Sequence, residues 1–298
     1  MAKVSIIIPS YKEPYLWETL NDILKKAEGD FEVLVNIDGI DKRWPKLIYD
    51  RRITYFHNDK PLGMRGGINK CIKASKGKYL IKVDAHCLFA PGFDVQLQKD
   101  IEKDWCVIPR RYALNADGWK IEERSPFKDY HYIHYPCKSN HTVGTAMFPQ
   151  VWEERTEERK DNSKYIIDDT MAFQGSFWFV DKKYFMGRVG YLQKEGYSTF
   201  AGEQLEIGLK YWLGGGKVKV NKKTWYAHLF KNRKYYDQVV GFNARKYKKE
   251  LRYRAGWNWL TKHWLRNEEP NMIHKFDWLI EKFWPVPSWP EDKSKWII

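Results

Sequence analysis

Three short apolar runs, each stopped by polar residues, constrain this chain more than any other feature. Val4-Ser5-Ile6-Ile7-Ile8 meets Pro9-Ser10, Phe31 to Ile37 meets Asp38-Gly39, and Tyr79 to Val83 runs into Asp84. Short β-branched runs without alternation are strands covered on both faces. Leu16, Leu20, Ile23 and Leu24 recur at helical spacing up to Gly29, and Ile68 to Ala74 fits a second helix ending before Gly77. Arg52 to Phe56 predicts one more strand. Strand, helix, strand, strand, helix, strand predicts an open α/β sheet, mostly parallel, with helices on both faces. In such sheets ligands sit outside the carboxyl ends of the strands. Those ends carry Pro9-Ser10-Tyr11, Asp38-Gly39 and Asp84-Ala85-His86.

Downstream, residues 90–165 look less regular, and the charged stretch Glu153 to Lys164 reads as a solvated loop or helix. A second apolar block, Ala172 to Val180, holds Gln174-Gly175-Ser176. Gly202-Glu203-Gln204-Leu205-Glu206 opens a helix through Trp212, followed by Gly214-Gly215-Gly216. Lys217–Val220 and Trp225–Leu229 predict two short strands flanking a turn. From 230 onward there are 15 Lys/Arg against 8 Asp/Glu, and seven of the 15 Trp residues. This shift divides the chain into residues 1–230 and a basic, Trp-rich helical extension, 231–298. Trp284 to Pro290 holds three prolines and predicts an extended tail pinned by its aromatics.

A formal charge of +14 favours a polyanionic partner or substrate. Between Lys231 and Arg266, 11 Lys/Arg and two acids interleave with Tyr and Trp residues, the composition of a nucleic-acid contact surface. The same segment also reads as an amphipathic helical appendage with core aromatics, and a third, less favoured reading is a membrane-surface patch. Cys71, Cys87, Cys106 and Cys137 have neither metal-site nor disulfide-framework spacing and read as reduced thiols. No apolar run reaches the roughly 20 residues that span a bilayer, and no signal peptide is visible. These features predict a soluble, cytoplasmic protein.

Asp84 and His86, fixed by the strand before them, can share a divalent cation; alone, the tripeptide is equally a turn Asp beside a solvent-facing His. The ordered set of motifs resembles the GT-A glycosyltransferases, specifically the family-2 transferases and the polypeptide N-acetylgalactosaminyltransferases. Asp84-Ala85-His86-Cys87 resembles their D-S-H-C metal motif. Gly175-Ser176 with Asp181-Lys182-Lys183-Tyr184-Phe185 is similar to G-G-x-x-x-x-D-K-x-Y-F. Phe200 to Glu206 is similar to W-G-G-E-N-L-E, and Tyr226 to Lys231 to V-G-H-V-F-R. The resemblance spans about residues 4–250. It implies a UDP-sugar donor and a Mn²⁺-type ion on Asp84, His86 and His228. It further implies donor contacts from Pro9, Tyr11, Glu13, Asp38, Arg65, Gly175, Ser176, Lys231, Arg233 and Tyr236.

Departures from the pattern carry information too. The family's Arg before Asn69 is Ile68, with Arg65 a helical turn earlier as its substitute. Inverting enzymes of family 2 place an Asp base where this chain has Gln204, which takes no proton. Either Glu203 is the base or none exists, and the latter suits retaining, front-face transfer. Asp84, Glu203 and Gln204 are thus the catalytic candidates. No lectin-like repeat follows 250 and no anchor precedes 4, which predicts a bacterial or phage enzyme. The leading acceptor is a hydroxymethylated pyrimidine in phage DNA. Alternatives are a cell-surface polysaccharide or glycolipid, a protein Ser/Thr, or a DNA-binding module on an inactive transferase fold.

Overall fold

Val4, Ile6, Ile7 and Ile8 are fully buried because β1 (Val4–Ser10) runs through the sheet between strands on both sides. The computed structural model describes residues 3–39, 47–137, 146–198, 202–231 and 253–296. β1 pairs in parallel with β2 (Phe31–Asp38) and β4 (Tyr79–Val83), and β2 with β3 (Ile53–Asn58). The crossovers are α1 (Leu16–Lys26), which buries Leu16, Leu20 and Ile23, and α2 (Gly63–Ala74). α2 begins earlier than its apolar spacing predicts, because Asp38 accepts hydrogen bonds from the Leu62 and Gly63 N–H groups. Those are orphan donors of a helix N-terminus, and a carboxylate there also favours the helix dipole.

The other half of the sheet is mixed rather than parallel. β11 (Phe177–Asp181) lies antiparallel between β4 and β6 (Trp105–Asn115), while β12 (Lys217–His228) runs parallel to β6. β6 corrects the expectation of an irregular middle. Pro109, Arg110 and Arg111 disguise this strand, since Pro and charge argue against a sheet interior. Lys217–Val220 and Trp225–Leu229 are likewise not two strands: β12 is continuous, with a bulge between Asn221 and Trp225 that absorbs the turn-like residues. A separate two-stranded sheet pairs β8 (His131–Cys137) antiparallel with β9 (Ala146–Val151). The charged stretch is the helix α4 (Glu153–Arg159), mostly exposed as expected.

The last described segment is helical, α7 (Tyr253–Leu265) and α8 (Phe276–Phe283). Trp257, Leu260, Trp264, Leu279 and Ile280 join the same hydrophobic cluster as the sheet strands. Of the tail, Val286, Trp289 and Trp296 are buried, and Trp289 Nε1 donates to the Ile133 carbonyl at 2.6 Å. The aromatics do pin it. Trp259 on α7 packs directly over Gly196, whose φ is +74° and where an added Cβ would lie 2.1 Å from the indole. Gly196→Ala combines a left-handed backbone with overpacking, and should destabilise by roughly 2–4 kcal/mol in denaturant melts.

Candidate active site

Strand geometry brings three ligand-bearing side chains to one sheet edge. β4 delivers Asp84, whose N–H is fixed by the Ser176 carbonyl at 2.9 Å. The next strand, β5 (Cys87–Phe89), pairs antiparallel with the end of β12 and sets Cys87 opposite His228. That register places His86 against His228: their Nε2 atoms are 3.0 Å apart. Asp84 Oδ2 lies 3.3 Å from His228 Nε2 and 3.8 Å from His86 Nε2.

Three acceptor-type atoms at these separations repel one another unless a cation lies between them. A single proton on one imidazole relieves at most part of this. An ion about 2.1 Å from each ligand on an octahedral face expects edges of about 3.0 Å, and tetrahedral edges are somewhat longer. The donor set therefore fits a divalent metal, and imidazole with carboxylate suits Mn²⁺ better than Mg²⁺. Among the described residues this is the one group of three or more His, Cys, Asp or Glu side chains so arranged.

The surrounding groups set the protonation this requires. Burial pushes the Asp84 carboxyl up, but Lys82 and the two imidazoles outweigh it and hold it well below the usual range. Burial pushes His228 down to about 3, with His86 and Arg111 adding to the effect against Asp84. Neutral imidazoles and an ionised carboxylate are the ligating forms. Glu13 Oε2 lies 3.0 Å from His86 Nδ1 and is also paired with Lys231. A carboxylate on Nδ1 keeps the proton there and turns the Nε2 lone pair towards the ion. Burial raises the Glu13 pKa, yet His86 and Lys231 bring it below its ordinary value.

Lys82 holds the second tier together. Its Nζ lies 2.7 Å from Asp84 Oδ1, 3.6 Å from Glu203 Oε2, and donates to the Gly175 carbonyl. Glu203, at the start of α6 (Glu203–Leu213), is buried; its Oε1 accepts from Trp178 Nε1 at 2.7 Å. Burial pushes its carboxyl up against the pull of Lys82 and Trp178. Gly175 lies against the pair: a Cβ there would sit 3.1 Å from Glu203 Oε2 and 3.4 Å from Gln204 Oε1. Ser176 Oγ bonds Gln174 and the Tyr226 hydroxyl, the latter at 2.8 Å.

The other residues expected to contact the donor also have partners within the fold. Asp38 caps α2 and also accepts from Asn58 Nδ2 at 3.0 Å. Arg65 is fully buried, paired with Glu206, donating to the Gln193 carbonyl at 2.9 Å and stacked on Tyr197. Pro9 sits near the end of β1 in register with Asn36, and Tyr11 follows beside Gly39. Arg233 and Tyr236 lie outside the described residues. Sequence reasoning missed Lys82 altogether, although a lysine inside an otherwise apolar strand must be paired to be buried.

Residues 5–185, more than half of the chain, match the model of Glycosyl transferase family 2. The chain belongs to glycosyltransferase family 2. This family-2 chain is 30% identical to human polypeptide N-acetylgalactosaminyltransferase 9 over 219 residues, 72% of this chain and 33% of that protein. It is 28% identical over 143 residues to an uncharacterized glycosyltransferase of Methanocaldococcus jannaschii, 42% of this chain and 47% of the relative. It thus spans less than half of the length of either. A solved structure of GalNAc-T7 with UDP, GalNAc and Mn²⁺ superposes over 95% of this chain and 56% of that one, with a TM-score of 0.64 at 20% identity. The shared fold is GT-A.

Proposed function

We propose that this protein is a metal-dependent glycosyltransferase that moves a sugar from a UDP-sugar to a hydroxyl acceptor with retention of configuration. The convergence of Asp84, His86 and His228 carries the reading. A Mn²⁺-type ion bound there supplies neutralisation of the diphosphate leaving group. Glu13 orients His86, and Lys82 holds Asp84 and Glu203 in place. As the C1–O bond to the diphosphate breaks, the acceptor oxygen bonds to C1 and its proton passes to the departing phosphate oxygen. Burial of Glu203 and its bond to Trp178 support a positioning role over that of a base, and Gln204 takes no proton. The UDP and Mn²⁺ bound to GalNAc-T7 support the same donor and ion.

The acceptor we infer is a hydroxymethylated pyrimidine in DNA, within a bacterial or phage-infected cell. Its support is the +14 charge, concentrated after residue 230. The aromatic part of that argument is weakened, because Trp257 and Trp264 are core residues and not stacking platforms. Arg245, Lys248, Lys249 and Arg252 lie outside the described residues. Cys71, Cys87 and Cys106 are buried free thiols, consistent with a reducing compartment. Among the described residues no helix is long and apolar enough to cross a membrane.

The test is a panel of UDP-sugars with Mn²⁺ against hydroxymethylated and plain DNA, read by mass spectrometry, with the anomer assigned by NMR coupling. An α-linked product from an α-linked donor is expected; a β product would return Glu203 to the role of base. DNA affinity should fall with salt at a log–log slope of about −0.9 per phosphate contacted. A flat salt response would move the acceptor to a polysaccharide or glycolipid.

A further inference from the structure

Beside the metal ligands lies a pair of cations that form no ion pair among the described residues. Arg111 on β6 stands opposite Tyr226 on β12, so both side chains leave the same sheet face, the one His228 also uses two residues later. Arg111 is 3% exposed. Nη2 lies 3.0 Å from His131 Nε2, while Nε and Nη1 have no hydrogen-bond partner among the described residues. An isolated antiparallel bridge locks Lys128 next to it, with Lys128 N–H donating to the Arg111 carbonyl at 2.8 Å. Neither cation forms an ion pair with a described residue. The adjacent acid, Asp129, is committed to Arg110 through bonds of 2.7 and 2.9 Å. Burial pushes both Arg111 and Lys128 down, and Arg111 lowers Lys128 further against a smaller opposing pull from Glu153.

The Phe230 ring covers both: the Arg111 guanidinium carbon is 4.9 Å and Lys128 Nζ 5.0 Å from its centroid. The same ring meets His228 edge-on at 4.9 Å and is 48% exposed. This half-exposed ring therefore lies over both cations next to the metal ligands. An unpaired buried cation beside a second cation costs stability. An oxyanion would answer both, since a guanidinium binds phosphate or carboxylate bidentately. The donor's diphosphate would be matched by an ion held on Asp84, His86 and His228.

We propose that Arg111 and Lys128, under Phe230, form a subsite for an oxyanion carried by the acceptor, such as the phosphate flanking a modified base. This deepens, and rests on, the transferase reading. Sulfate serves as the probe, titrated into the full chain loaded with Mn²⁺ and UDP at constant ionic strength. Sulfate should bind alongside UDP, and Arg111→Met and Lys128→Met should each weaken it about tenfold, the loss of one charge-assisted contact. Lys73→Met, an exposed lysine on α2, is the charge control and should match wild type. Arg111→Met removes a buried cation with two unbonded nitrogens but also its bond to His131, so the two effects oppose and the melting temperature should change little. Sulfate that competes with UDP would give the site to the donor and overturn the acceptor assignment. Wild-type sulfate affinity in both variants would overturn the subsite itself. Failure of Mn²⁺ to promote UDP binding would sink the transferase reading instead, and sulfate titration of the unloaded protein would still decide the subsite.

Discussion

His228→Ala should eliminate Mn²⁺-dependent turnover of a UDP-sugar and leave the fold intact. The sheet edge loses one of three ligand atoms, and the remaining two, Asp84 Oδ2 and His86 Nε2, are the most widely separated pair at 3.8 Å. Changes to groups that merely orient a ligand cost about 10–100-fold in metal affinity or activity. Deleting a ligand should exceed that, so turnover should fall by more than about a hundredfold. The metal-free protein loses little, because truncation also removes an imidazole crowded 3.0 Å from its neighbour and 3.3 Å from a carboxylate. Circular dichroism should be unchanged, and Mn²⁺ binding measured by electron paramagnetic resonance with UDP present should disappear. Full activity of the variant in EDTA would end the metal assignment.

What was legible in the sequence follows from which residues interact locally. β1, α1, β2 and β4 read directly because each is a continuous apolar or periodic segment, and Asp84 and His86 follow β4 immediately. His228 lies 142 residues beyond His86, and the resemblance to V-G-H-V-F-R, not spacing, singled it out. Its placement depends on β5 pairing with β12, a three-residue strand that periodicity does not reveal. β6 was hidden because its arginines are satisfied, or left unsatisfied, only by tertiary partners such as Asp129. Arg111 therefore gave no signal at all. Asp38 was legible as the acid at the end of β2 and Arg65 as standing a helical turn before Ile68, but their partners within the fold, the α2 N-terminus and Glu206, are set by tertiary packing.

Lys82→Met should destabilise the protein by about 3–5 kcal/mol, the usual cost of stranding the partner of a buried ion pair. Lys82 is 1% exposed and lies between two carboxylates, Asp84 at 2.7 Å and Glu203 at 3.6 Å. Methionine fills nearly the same volume, so the loss is electrostatic and not a cavity. It also leaves the Gly175 carbonyl without its donor. For a chain of this size the melting temperature should drop by on the order of 10 °C. The two stranded acids are unequal: Glu203 is almost wholly buried, whereas Asp84 is 24% exposed and reaches solvent. Glu203→Gln keeps an oxygen to accept from Trp178 Nε1 and removes the deeper charge. Adding it to Lys82→Met should therefore recover about half of the lost stability, though on wild type it removes a partner of Lys82 and destabilises. This sign reversal in a double-mutant cycle measures coupling through charge. Additive losses would instead mean that Lys82 acts through packing, leaving Asp84 without a fixed cation to hold it ionised.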